Sequence, residues 1–82
     1  MKKRLGELRT GQGGTIVQVG AVPLEPTRIQ IVQRLMEMGF LDGSWVEVLH
    51  EAPFGGDPIA VRVRGTLIAL RREEANLVWV EK

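Results

Sequence analysis

A small antiparallel β-barrel carrying one substantial helix is the fold class this sequence predicts, and three observations predict it. At 82 residues the chain can bury one modest core and not two. Several short runs alternate apolar and polar residues with a period of two, the mark of half-buried strands. One longer run, from Thr27 to Met38, instead repeats apolar residues at spacings of three and four, the mark of an amphipathic helix. Five short strands and one helix are too few for a sandwich of two full sheets, whereas closing a bent sheet removes its exposed edges. Composition agrees, with 44% hydrophobic and 26% charged residues. That much apolar surface offsets chain entropy, so intrinsic disorder is excluded.

The elements follow in order. Met1-Lys2-Lys3-Arg4 reads as a solvated basic terminus. It is not a secretory signal, because Leu5 and Leu8 stand isolated where an apolar run should follow. No run approaches the ~18 apolar residues of a membrane span, so a cytosolic location is expected. Leu5 and Leu8 form an apolar pair ahead of Thr10-Gly11-Gln12-Gly13-Gly14, whose glycines mark a bend. Thr15 to Val19 is a strand of mostly β-branched residues. Gly20 to Pro26 is a loop containing Pro23 and Pro26.

In the helix, Thr27 and Gln30 fit a capping box, and Ile29, Val32, Leu35 and Met36 form the apolar stripe. Gly39 stops the helix as a left-handed residue, and Phe40 and Leu41 anchor its exit. Asp42-Gly43 is a turn. From Ser44 to Glu51 the chain alternates, with Val46, Val48 and His50 on one face and Trp45, Glu47, Leu49 and Glu51 on the other. Ala52 to Pro58 is a stiff, glycine-rich connection. Ile59, Val61 and Val63 alternate with Ala60, Arg62 and Arg64, and Arg64-Gly65-Thr66 turns the chain into a hairpin with Leu67–Leu70. Arg71 to Asn76 suits one helical turn, and Leu77–Val80 is the closing strand. The expected order is β-α-β-β-β-(short helix)-β in a single domain spanning residues 1–82.

Catalytic chemistry finds few groups to work with. Cysteine is absent and His50 is the only histidine, so nucleophile–base pairs reduce to a hydroxyl with His50. Ser44 lacks the turn motif of a strained nucleophile and reads as a turn residue. Glu47 and Glu51 lie about 13 Å apart along an ideal strand, too far for a working carboxylate pair. His50, Glu51 and Asp57 are the only candidate ligands for a metal, and Glu51 points away from His50, so a structural zinc site is not built. A net charge of +1 argues against neutralising a phosphate backbone. Arg62, Arg64, Arg71 and Arg72 can form a basic strip, but no aromatic residue interleaves with them and Glu73 and Glu74 lie alongside, so no nucleic-acid partner is expected.

Several segments together resemble the FeoA family. Arg34-Leu35-Met36-Glu37-Met38-Gly39-Phe40 followed by Gly43 and Val46-x-Val48 looks like the opening of that family's core. Ala52-Pro53-Phe54-Gly55-Gly56-Asp57-Pro58-Ile59 resembles its A-P-[LF]-G-D-P-[IL] loop, with one extra glycine. Ala69-Leu70-Arg71-Arg72-Glu73-Glu74-Ala75 resembles its A-L-R-x-x-E-A segment, and Val78-x-Val80 its last strand. The similarity runs from about Leu5 to Val80. It implies an SH3-like barrel and a small cytosolic accessory protein of bacterial ferrous-iron uptake, without enzymatic activity.

The partner so implied is a FeoB-like ferrous-iron transporter with a cytosolic GTPase domain, and any membrane association would come through that partner. The residues expected to make the contact are Arg34, Leu35, Met38, Phe54 and Asp57, at the helix end and the loop beside it. Gly39, Gly43, Pro53 and Gly65 are structural turn residues. The alternative is a transition-metal sensor or carrier related to the SH3-like tail of iron-dependent repressors. It would bind Fe(II) or Zn(II) weakly through His50, with no cofactor required. A homo-oligomer stays open.

Overall fold

A computed structural model describes residues 1–20 and 25–82; the predicted loop residue Pro23 lies outside the described residues. Six antiparallel strands form one sheet in the order β1-β6-β2-β3-β4-β5. They are β1 (Lys2–Arg4), β2 (Gly13–Val19), β3 (Trp45–Glu51), β4 (Ile59–Val63), β5 (Thr66–Leu70) and β6 (Val78–Glu81). Helix α1 (Ile29–Glu37) joins β2 to β3, and the single turn α2 (Arg72–Ala75) joins β5 to β6. The folded chain exposes 5141 Å², close to the ~4,900 Å² that its length implies.

The sheet bends because β2 serves two neighbours. Gly13, Gly14 and Thr15 pair with β3, and Thr15 to Val19 pair with β6 across a register shift between Ile16 and Gln18. Gly13 is therefore strand, not bend. A Cβ there would stand 2.6 Å from the Val46 carbonyl oxygen, so the close approach of β3 requires glycine. Leu5, Leu8, Phe40, Val46, Val61 and Val80 are fully buried inside the curl. The end strands β1 and β5 do not pair with each other, so the sheet curls without hydrogen-bonded closure.

Other local expectations change as well. Lys2–Arg4, read as a solvated terminus, is strand β1, paired with Val80, Trp79 and Glu81 of β6. Its side chains are all exposed, because a ladder needs only backbone groups. The Thr27–Gln30 capping box does not form. Pro26 opens a 3₁₀ turn over Pro26–Arg28, which holds Thr27 inside the turn, and α1 begins only at Ile29. The buried stripe is also rotated. Val32 and Leu35 are core, flanked by Ile31 and Met38, while Ile29 and Met36 are about two-fifths exposed.

The exit of α1 is the predicted one. Gly39 has φ +107°, its N–H donates to the Met36 carbonyl (3.0 Å), and the Phe40 N–H donates to the Leu35 carbonyl (3.0 Å). This paired cap leaves Phe40 packed back into the core. At the β4–β5 hairpin, Arg64 (φ +50°) and Gly65 (φ +79°) form a two-residue turn of the hand that matches strand twist.

A β-bulge in β3 decides where its last residues point. Val48 opposes Val61, but His50, not Leu49, opposes Ala60, so one extra residue enters the strand. The alternation reverses there. His50, expected on the face of Val46 and Val48, is turned out and exposed, and Glu51, expected outside, shares the face of its inward partner Ile59.

Candidate protein-docking site

The reversal at the bulge delivers Glu51 to a polar hub at one end of the barrel. One Glu51 oxygen, Oε1, accepts from the Thr10 N–H and the Thr10 hydroxyl, both at 2.9 Å. Its Oε2 accepts from Arg72 Nη2 at 2.7 Å and faces Arg9 Nε at 3.2 Å. The two Thr10 bonds hold the Glu51 carboxyl below its ordinary pKa, and the Arg9 and Arg72 charges add to that.

Arg72 stands at the centre of this hub. Its Nη1 donates to the carbonyls of Gly6 (2.9 Å) and Leu8 (2.8 Å), and its Nε donates to the Gly56 carbonyl (2.9 Å). The Arg72 backbone N–H donates to Asp57 Oδ1 at 3.0 Å. One guanidinium thus ties the N-terminal segment, the end of β3 and the β3–β4 connection together, which its rigid fork of donors permits and a lysine would not. The expected basic strip therefore loses Arg72, which pairs with Glu51 and not with Glu73 or Glu74. The hub was not foreseen. Its one local signal is that Arg72 and Ala75 share a face of the α2 turn, and Ala75 is fully buried.

What the hub holds in place is the Ala52–Pro58 connection. The Ala52 N–H donates to the Pro58 carbonyl (3.1 Å) and closes the loop at its neck. Gly55 and Gly56 both take positive φ (+81° and +69°), a backbone path that side-chain-bearing residues rarely follow. The extra glycine is thus part of the turn, and the Gly56 carbonyl is the one that Arg72 grips. At the loop's tip Phe54 is 94% exposed. A large apolar ring held in water by a fixed backbone is the form of a docking anchor.

The other expected contact residues separate. Asp57 shares a cavity with Ile31 of α1, Arg71, Glu73 and Glu74. Leu35 is 1% exposed and belongs to the core, so it offers no contact surface. Arg34 is exposed and Met38 is half-buried at the other end of α1. There a Cβ on Gly39 would lie 3.2 Å from Arg64 Cδ of the hairpin. The hairpin and the Phe54 loop sit at opposite ends of β4, about 13 Å apart by strand rise. The helix end and the loop are therefore two patches, and it is the first half of α1 that adjoins the loop.

His50 stands exposed on the outer face of β3. Among the described residues no three of His, Asp and Glu converge on a common point.

The family model of the FeoA domain matches residues 3–82. The chain is 37% identical over 78 residues to the Fe(2+) transport protein A/Fe(2+) transporter FeoB fusion protein of Porphyromonas gingivalis. That alignment covers 95% of this chain but 8% of the fusion protein, so this chain spans less than a tenth of that relative's length. Among solved structures, FeoA of Stenotrophomonas maltophilia, a prokaryotic SH3-domain protein in complex with zinc, superposes with a TM-score of 0.80 at 34% identity. It covers 99% of this chain and 89% of that one. A manganese-dependent transcriptional repressor in complex with manganese gives a TM-score of 0.78 at 25% identity, over 98% of this chain and 36% of the repressor.

Proposed function

This chain belongs to the FeoA family of ferrous iron transport, and from that premise we propose that it is a non-enzymatic docking module for a FeoB-like transporter. The contact proposed is with the transporter's cytosolic GTPase portion, which would hold the module at the inner face of the membrane. The observation that carries the reading is Phe54, 94% exposed on a loop fixed by Arg72. The fusion of the two proteins into one chain in the P. gingivalis relative supports the choice of partner. Asp57 within the loop and Ile31 of α1 beside it complete the proposed contact face.

The test is calorimetric titration of the GTPase portion of the same organism's transporter, with GDP and with a non-hydrolysable GTP analogue. Saturable binding that differs between the nucleotides is expected. Burying a phenylalanine side chain is worth about 2–3 kcal/mol, so Phe54→Ser should weaken binding by roughly 30- to 150-fold. Its melting temperature should not move, because Phe54 touches no core. Absence of binding in both nucleotide states, or wild-type affinity for Phe54→Ser, would overturn the reading.

The zinc complex of the S. maltophilia relative supports a second reading, weak Fe(II) or Zn(II) binding, for which exposed His50 is the candidate ligand. Equilibrium dialysis against either metal, with wild type and His50→Ala, tests it. Uptake that does not depend on His50 removes that residue from consideration.

A further inference from the structure

The sheet has two end strands, and they differ in chemistry. Strand β1 is Lys2-Lys3-Arg4, three exposed cations that repel any cationic strand and keep the edge solvated. Strand β5 is Thr66-Leu67-Ile68-Ala69-Leu70, with no charge, no proline and no bulge. Its register with β4 assigns its backbone groups. Pairing starts at Val63–Thr66 beside the two-residue turn and runs in step to Ile59–Leu70. In an antiparallel ladder the bonded pairs alternate, so Thr66, Ile68 and Leu70 bond to β4. The N–H and C=O groups of Leu67 and Ala69 then point away from the sheet. Among the described residues none bonds to them. Both residues are exposed, Leu67 to 66%. Two donors and two acceptors in a row, with an apolar side chain between, form a template for an added strand.

Charge selects what is added. Arg64 borders the strand at the turn and Arg71 at its far end, both exposed. Arg62 lies beside Leu67 on the outer face, 57% exposed, with its partner Glu47 at 3.8 Å. A second copy pairing antiparallel about Ile68 would place Gly65 opposite Arg71, which brings the exposed Arg64 of one copy beside the exposed Arg71 of the other at both ends. Like charges in such positions oppose self-pairing. Carboxylates at the ends of an incoming segment would instead meet these arginines.

We infer that the free edge of β5 is a strand-addition site for an extended segment of a partner protein, alternately apolar in its middle and acidic at its ends. This site is separate from the Phe54 loop and does not depend on what that loop binds.

The test uses the full chain, ¹⁵N-labelled, titrated at low salt with the peptide acetyl-Glu-Thr-Val-Thr-Val-Glu-amide. The amide signals of Leu67 and Ala69 should shift saturably, and their exchange with deuterium should slow. The analogue with lysine in place of both glutamates should bind at least about tenfold more weakly, the size of one charge-assisted contact per end. Ala69→Pro removes one outward N–H and leaves the β4 ladder untouched, a placement that edge strands accept. It should lose binding while keeping the wild-type melting temperature. If that variant fails to fold, Arg62→Glu/Arg64→Glu should reverse the preference between the two peptides. Unmoved Leu67 and Ala69 signals at millimolar peptide would overturn the inference, as would equal binding of the lysine peptide. Shifts of the same amides with protein concentration alone would assign the edge to a second copy and overturn it too.

Discussion

Replacing Arg72 with methionine isolates the hub, because methionine keeps the apolar stem and removes only the donors. Four side-chain hydrogen bonds disappear, to Gly6, Leu8 and Gly56 carbonyls and to Glu51. The Arg72 side chain is 21% exposed, so water can reach part of what is left unpaired. Each bond is then worth about 1 kcal/mol and not the larger value of a fully buried charged bond, and the sum is about 3–4 kcal/mol. Against a total stability of roughly 5–15 kcal/mol that is a large fraction. For a domain of this size it corresponds to a fall in melting temperature of roughly 15–30 °C. The assay is urea denaturation at neutral pH followed by tryptophan fluorescence, with melting by calorimetry. Arg72→Lys should recover less than half of the loss, since one ammonium cannot reach carbonyls on three separate segments at once. A loss below about 1 kcal/mol for Arg72→Met, or full rescue by lysine, would refute the claim that Arg72 holds these segments together.

Other consequences follow from the same packing. Gly6→Ala should cost about 1–3 kcal/mol in denaturation, because the new Cβ would stand 2.5 Å from the Arg72 carbonyl oxygen and against Asn76 Oδ1. Gly39→Val should also cost about 1–3 kcal/mol, since it forces a β-branched residue to φ +107°. An unchanged melting temperature would contradict the cap. The Glu51 carboxyl has its pKa lowered in the folded state from an ordinary 4.5. Its contribution is therefore complete above that value and is lost as pH falls through the lower folded pKa. Denaturation measured from pH 7 to pH 3 should show a steeper acid loss for wild type than for Glu51→Gln, which should be weaker at pH 7.

Several elements were legible along the chain because a few neighbouring residues settle them. The Phe40 and Gly39 cap, the Arg64-Gly65 hairpin turn and the alternation of Ile59, Val61 and Val63 each depend on side-chain size and backbone freedom within four or five positions. The capping box at Thr27 failed for a nearby reason, since Pro26 starts a tighter turn one residue earlier. Strand β1 was hidden because Lys2, Lys3 and Arg4 carry no apolar pattern, and only the backbone of β6 recruits them. Of the candidate site, Phe54 was readable as an apolar residue in a stiff loop, and Leu35 could not be told from the core residue it proves to be.

The amino-acid sequence by itself determined the fold class, the family and the absence of cysteine chemistry, because periodicity, turn residues and composition are properties of short stretches. Only the tertiary structure decided which way His50 and Glu51 face and where Arg72 reaches. The bulge at Leu49 reverses β3 only because β4 lies beside it to set the register. Arg72 becomes a hub only because Gly6, Leu8, Glu51 and Gly56, far apart along the chain, come within 3 Å of its guanidinium. Hydrogen bonds act over such distances alone, so no pattern along the chain can announce partners that the fold has yet to bring together.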